Sequence, residues 1–156
     1  LEDLAAQTIE NLRRMTRALR PIYLEDLGLV AALDMLARET GQNGGISIAF
    51  QKTGEERRLS PEVELALYRI AQEALNNVVR HSQARRADLR LNFGEKTVEL
   101  EVSDDGIGFN VPQSPTDFAP QGHFGLLGIY ERADLIGARL SVESAAGKGT
   151  RIKVRL

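Results

Sequence analysis

Ser60-Pro61-Glu62 opens a helix, and that helix constrains the chain more than any other stretch. A serine at the N-cap accepts from the free amides of the first turn. A proline just inside gives up no bond, and an acid sits at the positive end of the helix dipole. The helical pattern runs from there to about His81. Val63, Leu67, Ile70, Ala74, Leu75 and Val78 lie on or near one side of it. On the other side Glu73, Asn77 and His81 are four apart and stack as one polar stripe, with Arg80 beside them. The helix is therefore expected to be half-buried, with its polar side turned to something other than the core.

The segments around it supply that core. Residues 46–53 alternate as a strand, and Asp88–Phe93 and Thr97–Ser103 read as two more, joined in a hairpin at Gly94-Glu95-Lys96. A second helix is expected from about Leu29 to Thr40, ended by Gly41 with Asn43-Gly44-Gly45. Periodicity vanishes after Asp104, and residues 106–124 hold three prolines. A structureless loop of that length inside a domain is usually a lid over a site. Helix returns from about Gly125 to Ile136, and a last hairpin pairs Arg139–Ser144 with Thr150–Leu156. Helices beside antiparallel strands predict an α+β fold, a two-layer α/β sandwich with one mixed sheet covered by helices.

The first twenty residues are of another kind. Leu1, Ala5, Thr8, Leu12, Met15, Leu19 and Ile22 alternate steps of four and three, the seam of a coiled coil or helix bundle. Such a helix needs a partner, expected from a second subunit. Pro21 stops it. The expected organisation is residues 1–21 as the end of a helical dimerising region, 22–28 as a hinge and 29–156 as the main domain. The chain opens on Leu1 in mid-pattern, so it is expected to be a piece of a longer protein.

Composition excludes several classes of function. Zero cysteines remove disulfides, thiolate metal sites and cysteine nucleophiles. A net charge of −2 gives no reason to expect nucleic acid. His81 and His123 are the only histidines, too few for a histidine-rich metal site. No apolar run reaches the ~20 residues that cross a bilayer, so no membrane contact is expected of these residues, and no leader marks the chain for secretion.

Four segments can carry chemistry. The first is the stripe in ALYRIAQEALNNVVRHSQA, residues 66–84. A carboxylate, an amide, a guanidinium and an imidazole aligned on one helix suit a polyphosphate with a metal. Asn77 can offer Mg²⁺ an amide oxygen, Arg80 can neutralise phosphate, and Glu73 can orient a water or accept a proton. A solvated helix face is the plain alternative. The second is SDDGIGF, residues 103–109, where a carboxylate at a strand end can accept from the exocyclic amine of adenine. Asp104 is the chosen acid because Asp104, Gly106 and Gly108 form the spaced set, although Asp-Gly is also a common turn. The third, GHFGLLG at residues 122–128, opens a helix whose free amides (Gly125, Leu126, Gly128) make an anion site, or simply a loop before a helix. The fourth, Gly147-Lys148-Gly149-Thr150, also reads as a hairpin turn. Neither a Walker A loop nor a Rossmann fingerprint is present.

In order, these segments resemble the N, G1, G2 and G3 boxes of the ATPase family shared by histidine kinases, DNA gyrase, Hsp90 and MutL. RALRPIYLEDLGLVAAL (residues 17–33) and GLLGIYERADLIGARL (residues 125–140) are similar to the NarX/DesK-like branch of sensor histidine kinases. The resemblance implies the Bergerat ATP-binding fold, with Mg-ATP held through Asn77 and adenine through Asp104. It implies His81, Gly106, Gly149 and Thr150 as further nucleotide contacts, and a lid between Gly108 and Gly125. It also implies γ-phosphoryl transfer to a histidine on a bundle helix outside this sequence, relay to a response-regulator receiver domain, a homodimeric full-length protein, and a cytoplasmic domain of an inner-membrane protein. Glu73 stands where gyrase-like members keep a water-activating base, so slow hydrolysis is a further implication. The alternatives are a serine kinase of the anti-sigma-factor type and a nucleotide-gated regulatory or dimerising module without transfer activity.

Overall fold

The computed structural model describes residues 3–9, 11, 21–114 and 124–156. Residues 3–9 and 11 are helical and exposed, whereas the seam positions Leu1, Leu12, Met15 and Leu19 lie outside the described residues. From Pro21 the order is α1 (Ile22–Leu27), α2 (Leu29–Gly44), β1 (Ser47–Gly54), α3 (Pro61–Asn77), a π-helical turn (Val78–Ser82), β2 (Arg86–Phe93), β3 (Val98–Asp104), α4 (Phe124–Leu135), β4 (Arg139–Ser144) and β5 (Thr150–Arg155).

Ser60 caps α3 as its sequence requires, its Oγ accepting from the Val63 amide at 3.3 Å. Leu67, Ile70 and Leu75 are at most 1% exposed beneath it. The expected run to about His81 is helical throughout, but its last turn is wound wider, with π geometry. Ser82 accounts for the change. Its hydroxyl donates back to the Val78 carbonyl and accepts from the Ala84 amide, and Gln83 then leaves the helix at φ 53°. A wider turn advances less per residue, so the step from Asn77 to His81 keeps His81 close to the stripe instead of adding another α-helical drift.

The sheet has five strands in the order β1-β2-β3-β5-β4. β1 lies parallel to β2, joined through α3, and every other pair is antiparallel. Ala87, Leu89, Leu91, Phe93, Val98, Leu100, Val102, Ile152 and Val154 share the buried side, in one core with Leu33, Leu36, Ala71 and Ile129 of the helices. The opposite side carries Glu99 and Glu101 paired with Arg90, Arg151 and Lys153. This is the two-layer sandwich that the sequence pattern predicts.

One local reading needs correction. α2 does not stop at Thr40 or Gly41 but continues to Gly44, and Gly45 at φ 65° terminates it. Gly41 serves a different purpose, because a Cβ there would lie 3.0 Å from the Ile46 carbonyl, where the chain folds back across the helix end. The Gly41 carbonyl accepts from the Ile46 amide at 3.1 Å, so the closure needs that proximity. Residues 22–28, expected as a hinge, contain the short helix α1, whose Leu24 is 5% exposed within the core.

Arg58 fastens α1 to α3. Its guanidinium holds the buried Glu64 carboxylate at 3.1 Å and donates to the Glu25 carbonyl at 3.3 Å. Nearby, the Tyr23 and Tyr68 hydroxyls meet at 3.4 Å. The Glu64 side chain is 4% exposed, so removing its cation leaves a carboxylate poorly served by water. Arg58→Met is expected to destabilise the domain by about 1–3 kcal/mol. Arg38→Met, which breaks an exposed pair with Asp34, should cost no more than about 0.5 kcal/mol. Urea unfolding of both variants checks this, and equal losses would contradict the account.

Candidate functional site

The polar stripe of α3, the end of β3, the loop after it, the start of α4 and the inner face of β5 surround a cavity of about 530 Å³. Glu73, Asn77, Arg80 and His81 line one part of it, and Asp104 and Thr150 line another. Apolar side chains, chiefly Val78, Val102, Ile107, Phe109, Leu126 and Ile152, line it as well. Polar groups of both kinds thus converge on an otherwise apolar space, the usual composition of a small-molecule site.

Asp104 and its neighbour Asp105 have opposite surroundings. Asp105 is exposed, and its Oδ1 accepts from the amides of Arg85 and Arg86 at 3.0 and 3.1 Å. The Arg86 amide foremost, then that of Arg85, lowers its carboxyl below the ordinary value. Asp105 is therefore occupied in tying the start of β2 to the end of β3. Asp104 is half-buried, accepts from the Gly106 amide at 2.8 Å, and faces the cavity. Burial raises its carboxyl above the ordinary value, against the lowering effect of the Gly106 and Thr150 amides. Of the two acids, Asp104 is the one that lines the cavity.

The loop following β3 is clamped at several points. The Ile107 amide donates to the Ser82 carbonyl at 2.8 Å, and the Gly147 amide donates to the Ile107 carbonyl at 2.6 Å. Gly108 adopts φ 66°, and a Cβ on it would come within 2.1 Å of the Ala145 carbonyl, so only glycine passes there. At the start of α4, a Cβ on Gly125 would meet Glu73 Oε1 at 2.6 Å and Asn77 Nδ2 at 2.9 Å. The backbone of α4 therefore sits directly against the stripe.

Of the residues selected from sequence, Glu73, Asn77, Arg80, His81, Asp104, Gly108, Gly125, Leu126 and Thr150 line the cavity. Gly106, Gly128 and Gly149 do not. Gly106 packs behind the wall on the Ser82 carbonyl, and Gly149 packs against the Asp104 carbonyl. The Gly128 carbonyl accepts from Arg132 at 3.2 Å, deeper in α4. Residues 115–123 of the expected lid, His123 among them, lie outside the described residues, and residues 105–114 form neither helix nor strand. Sequence reading missed Ser82 and the apolar lining. The lining had a signal: Val102 and Ile152 are inward positions two places from Asp104 and Thr150 on their strands.

Residues 62–156 match the family of histidine kinase-, DNA gyrase B-, and HSP90-like ATPases. The chain belongs to that family. Among curated proteins it is 36% identical to the signal transduction histidine-protein kinase/phosphatase DegS of Bacillus subtilis, over 96% of this chain and 42% of DegS. It is 35% identical to an uncharacterized sensor-like histidine kinase of Chloroflexus aurantiacus, over 99% of this chain and 26% of that protein. It is 31% identical to the oxygen sensor histidine kinase NreB of Staphylococcus carnosus, over 96% of this chain and 42% of NreB. The chain thus spans well under half the length of these relatives. All three relatives carry histidine-kinase names, and the family match lies over residues 62–156 of this chain. Solved structures agree on the fold. The histidine kinase domain of the Erythrobacter litoralis EL346 blue-light activated kinase superposes with a TM-score of 0.66 at 21% identity, covering 82% of this chain and 60% of that one. Full-length ShkA in complex with AMPPNP gives 0.66 at 19%, covering 81% of this chain and 29% of ShkA.

The raised carboxyl of Asp104 has a consequence for stability. The protonated form is favoured by folding, so its contribution is full below the ordinary value of 3.8 and is lost as pH rises through the folded value. As the pH rises towards neutrality, the half-buried carboxylate weighs increasingly against folding. Asp104→Asn, which keeps an acceptor for the Gly106 amide, should raise the thermal midpoint without nucleotide at neutral pH. That gain should fade as the pH falls towards 3.8. A midpoint unchanged or lowered at pH 7 would contradict the desolvation account.

Proposed function

We propose that the cavity binds Mg-ATP, and that the domain transfers the γ-phosphoryl group to a histidine outside these residues. The observation that carries the reading is the convergence on one cavity of Asp104 with the Glu73-Asn77-Arg80-His81 stripe. The Asp104 carboxylate would accept from the exocyclic amine of adenine, with Thr150 beside it and Val102, Ile107 and Ile152 excluding water from the ring. Gly106 and Gly149 would contribute by close backbone packing that sets the Asp104 carboxylate. Arg80 and His81 would offset phosphate charge, and the amides at the start of α4, from Gly125 and Leu126 towards Gly128, would add donors at the positive end of the helix.

Among the described residues no cluster of three or more His, Cys, Asp or Glu could hold a metal. A lone amide oxygen at Asn77 in the cavity wall fits Mg²⁺ arriving with a polyphosphate, since the ion keeps several waters and takes one or two protein oxygens. Asn77 would give its amide oxygen. When held there, the metal would supply positive charge against the phosphates. Glu73 would orient a water in the cavity or receive the proton released by the attacking imidazole.

In the transfer, the bond from the γ-phosphorus to the β–γ bridging oxygen breaks, a nitrogen–phosphorus bond forms at the acceptor histidine, and ADP leaves. The protein's share is positioning and charge neutralisation. Neither His81, in the cavity wall, nor His123 would be the acceptor. The phosphohistidine would then supply an aspartate of a response-regulator receiver domain. We further propose residues 1–21 as the end of a dimerising helix, 22–28 as the hinge to it and 29–156 as the catalytic unit, acting on the cytoplasmic side of the membrane within a homodimer. Among the described residues no helix is long and apolar enough to cross a membrane.

Calorimetric titration should give saturable ATP binding that depends on Mg²⁺ and exceeds that of GTP. Asn77→Ala should reduce the Mg-dependent affinity at least about tenfold, consistent with loss of one charge-assisted contact. Phosphotransfer to a histidine-bearing bundle helix added in trans should be abolished in the same variant. Mg-dependent affinity that survives Asn77→Ala would remove the metal assignment, and absence of ATP binding by the parent would remove the function.

A further inference from the structure

Asp104, Thr150 and Ser144 stand in a row across three adjacent strands. Asp104 pairs with Thr150 in the β3–β5 register, and Thr150 pairs with Ser144 in the β5–β4 register. Asp104 and Thr150 line the cavity, while Ser144 lies behind them in the wall of a smaller one. Ser144 Oγ has three partners. The Phe109 amide lies at 2.9 Å, the Gly149 carbonyl at 2.8 Å and the Thr150 hydroxyl at 2.9 Å.

A hydroxyl has one proton to give and two lone pairs. A carbonyl only accepts, so the Ser144 proton goes to Gly149. The Phe109 amide only donates, so it fills one lone pair. The remaining lone pair faces Thr150 Oγ1, which must then act as the donor. The direction of the whole chain is set by the two backbone groups at its ends. Thr150 has spent its proton on Ser144 and can offer the cavity lone pairs alone. The Asp104 carboxylate beside it is also an acceptor. This corner of the cavity therefore presents acceptors only.

We infer that Ser144 is a positioning residue for base selectivity: by taking the Thr150 proton, it makes the cavity accept a ring amine and reject a ring carbonyl at the same place. The inference rests on the ATP reading above and deepens it. Without Ser144, the Thr150 hydroxyl turns freely and can donate to an oxo group. ATP and ITP make the comparison, since they differ in having an amine or an oxo group at one ring carbon.

The test titrates the 156-residue chain with ATP and with ITP, both with Mg²⁺. Ser144→Ala should lower the ratio of ATP to ITP affinity by about three- to tenfold, the range of one hydrogen bond. Ser144→Thr, which keeps the hydroxyl, should restore the ratio. In a Thr150→Val background, Ser144→Ala should produce no further change, because the hydroxyl through which it acts is gone. Should Ser144→Ala fail to fold, Ser144→Cys removes the strong donor and acceptor at similar volume and carries the same expectation. A ratio unchanged in Ser144→Ala, or an undiminished Ser144→Ala effect in the Thr150→Val background, overturns the inference while leaving ATP binding intact. A parent chain that binds neither nucleotide overturns the ATP reading, and this one with it.

Discussion

Everything at the cavity hangs on a helix that must satisfy two opposed demands. One side of α3 lies against the sheet, where Leu67, Ile70 and Leu75 are essentially inaccessible to water. Each such side chain stabilises the fold by roughly 1.5–3 kcal/mol. That anchorage lets the other side hold Glu73 and Asn77 towards a cavity, where a freely solvated helix face would let them wander. The π-helical turn at Val78–Ser82 extends the same side to Arg80 and His81, and the Ser82 carbonyl then receives the loop that follows β3. Anchor, stripe and loop are consecutive consequences of where α3 buries its leucines.

Much of this architecture is legible in the residues because local chemistry and packing agree. Ser60 and Pro61 mark the start of α3, and the alternation in β2, β3 and β5 selects the buried side of the sheet. The last hairpin was readable almost to the residue, since Arg139–Ser144 and the run from Thr150 bracket a glycine-rich turn. What the pattern cannot convey is pairing and tertiary competition. Alternation along residues 46–53 marks a strand, yet nothing local says that β1 runs parallel to β2. Gly41 looked like a helix stop because glycine is costly in a helix interior, but a close approach by the Ile46 carbonyl explains it instead. Glu64 sits in the first turn of α3 as Glu62 does, and only the fold brings Arg58 over it.

The candidate site divides along the same line. Side chains on one regular element, such as the α3 stripe, are predictable from spacing, and Asp104 followed from its place in a spaced set. Glycines are harder, because their motif records where a side chain would collide without saying with what. Gly106 and Gly149 prove to be supports behind the wall, whereas Gly125 touches the stripe itself. Hydroxyl chains such as that through Ser144 join residues 109, 144, 149 and 150. They depend on cross-strand register, which no short motif encodes. The two adjacent acids show the contrast in miniature: one carboxylate is spent on the amides of Arg85 and Arg86, and the other is kept half-buried in the cavity wall.

The attachment of α1 bears on more than stability. Pro21 is buried, Leu24 is in the core, and Arg58 grips both the Glu25 carbonyl and Glu64. The segment that enters the domain is thus not a slack string whose only property is its reach. It is seated in the body through Leu24 and Glu25. A pull applied at Pro21 is therefore borne by Leu24 and by the grip of Arg58 before it reaches the strands.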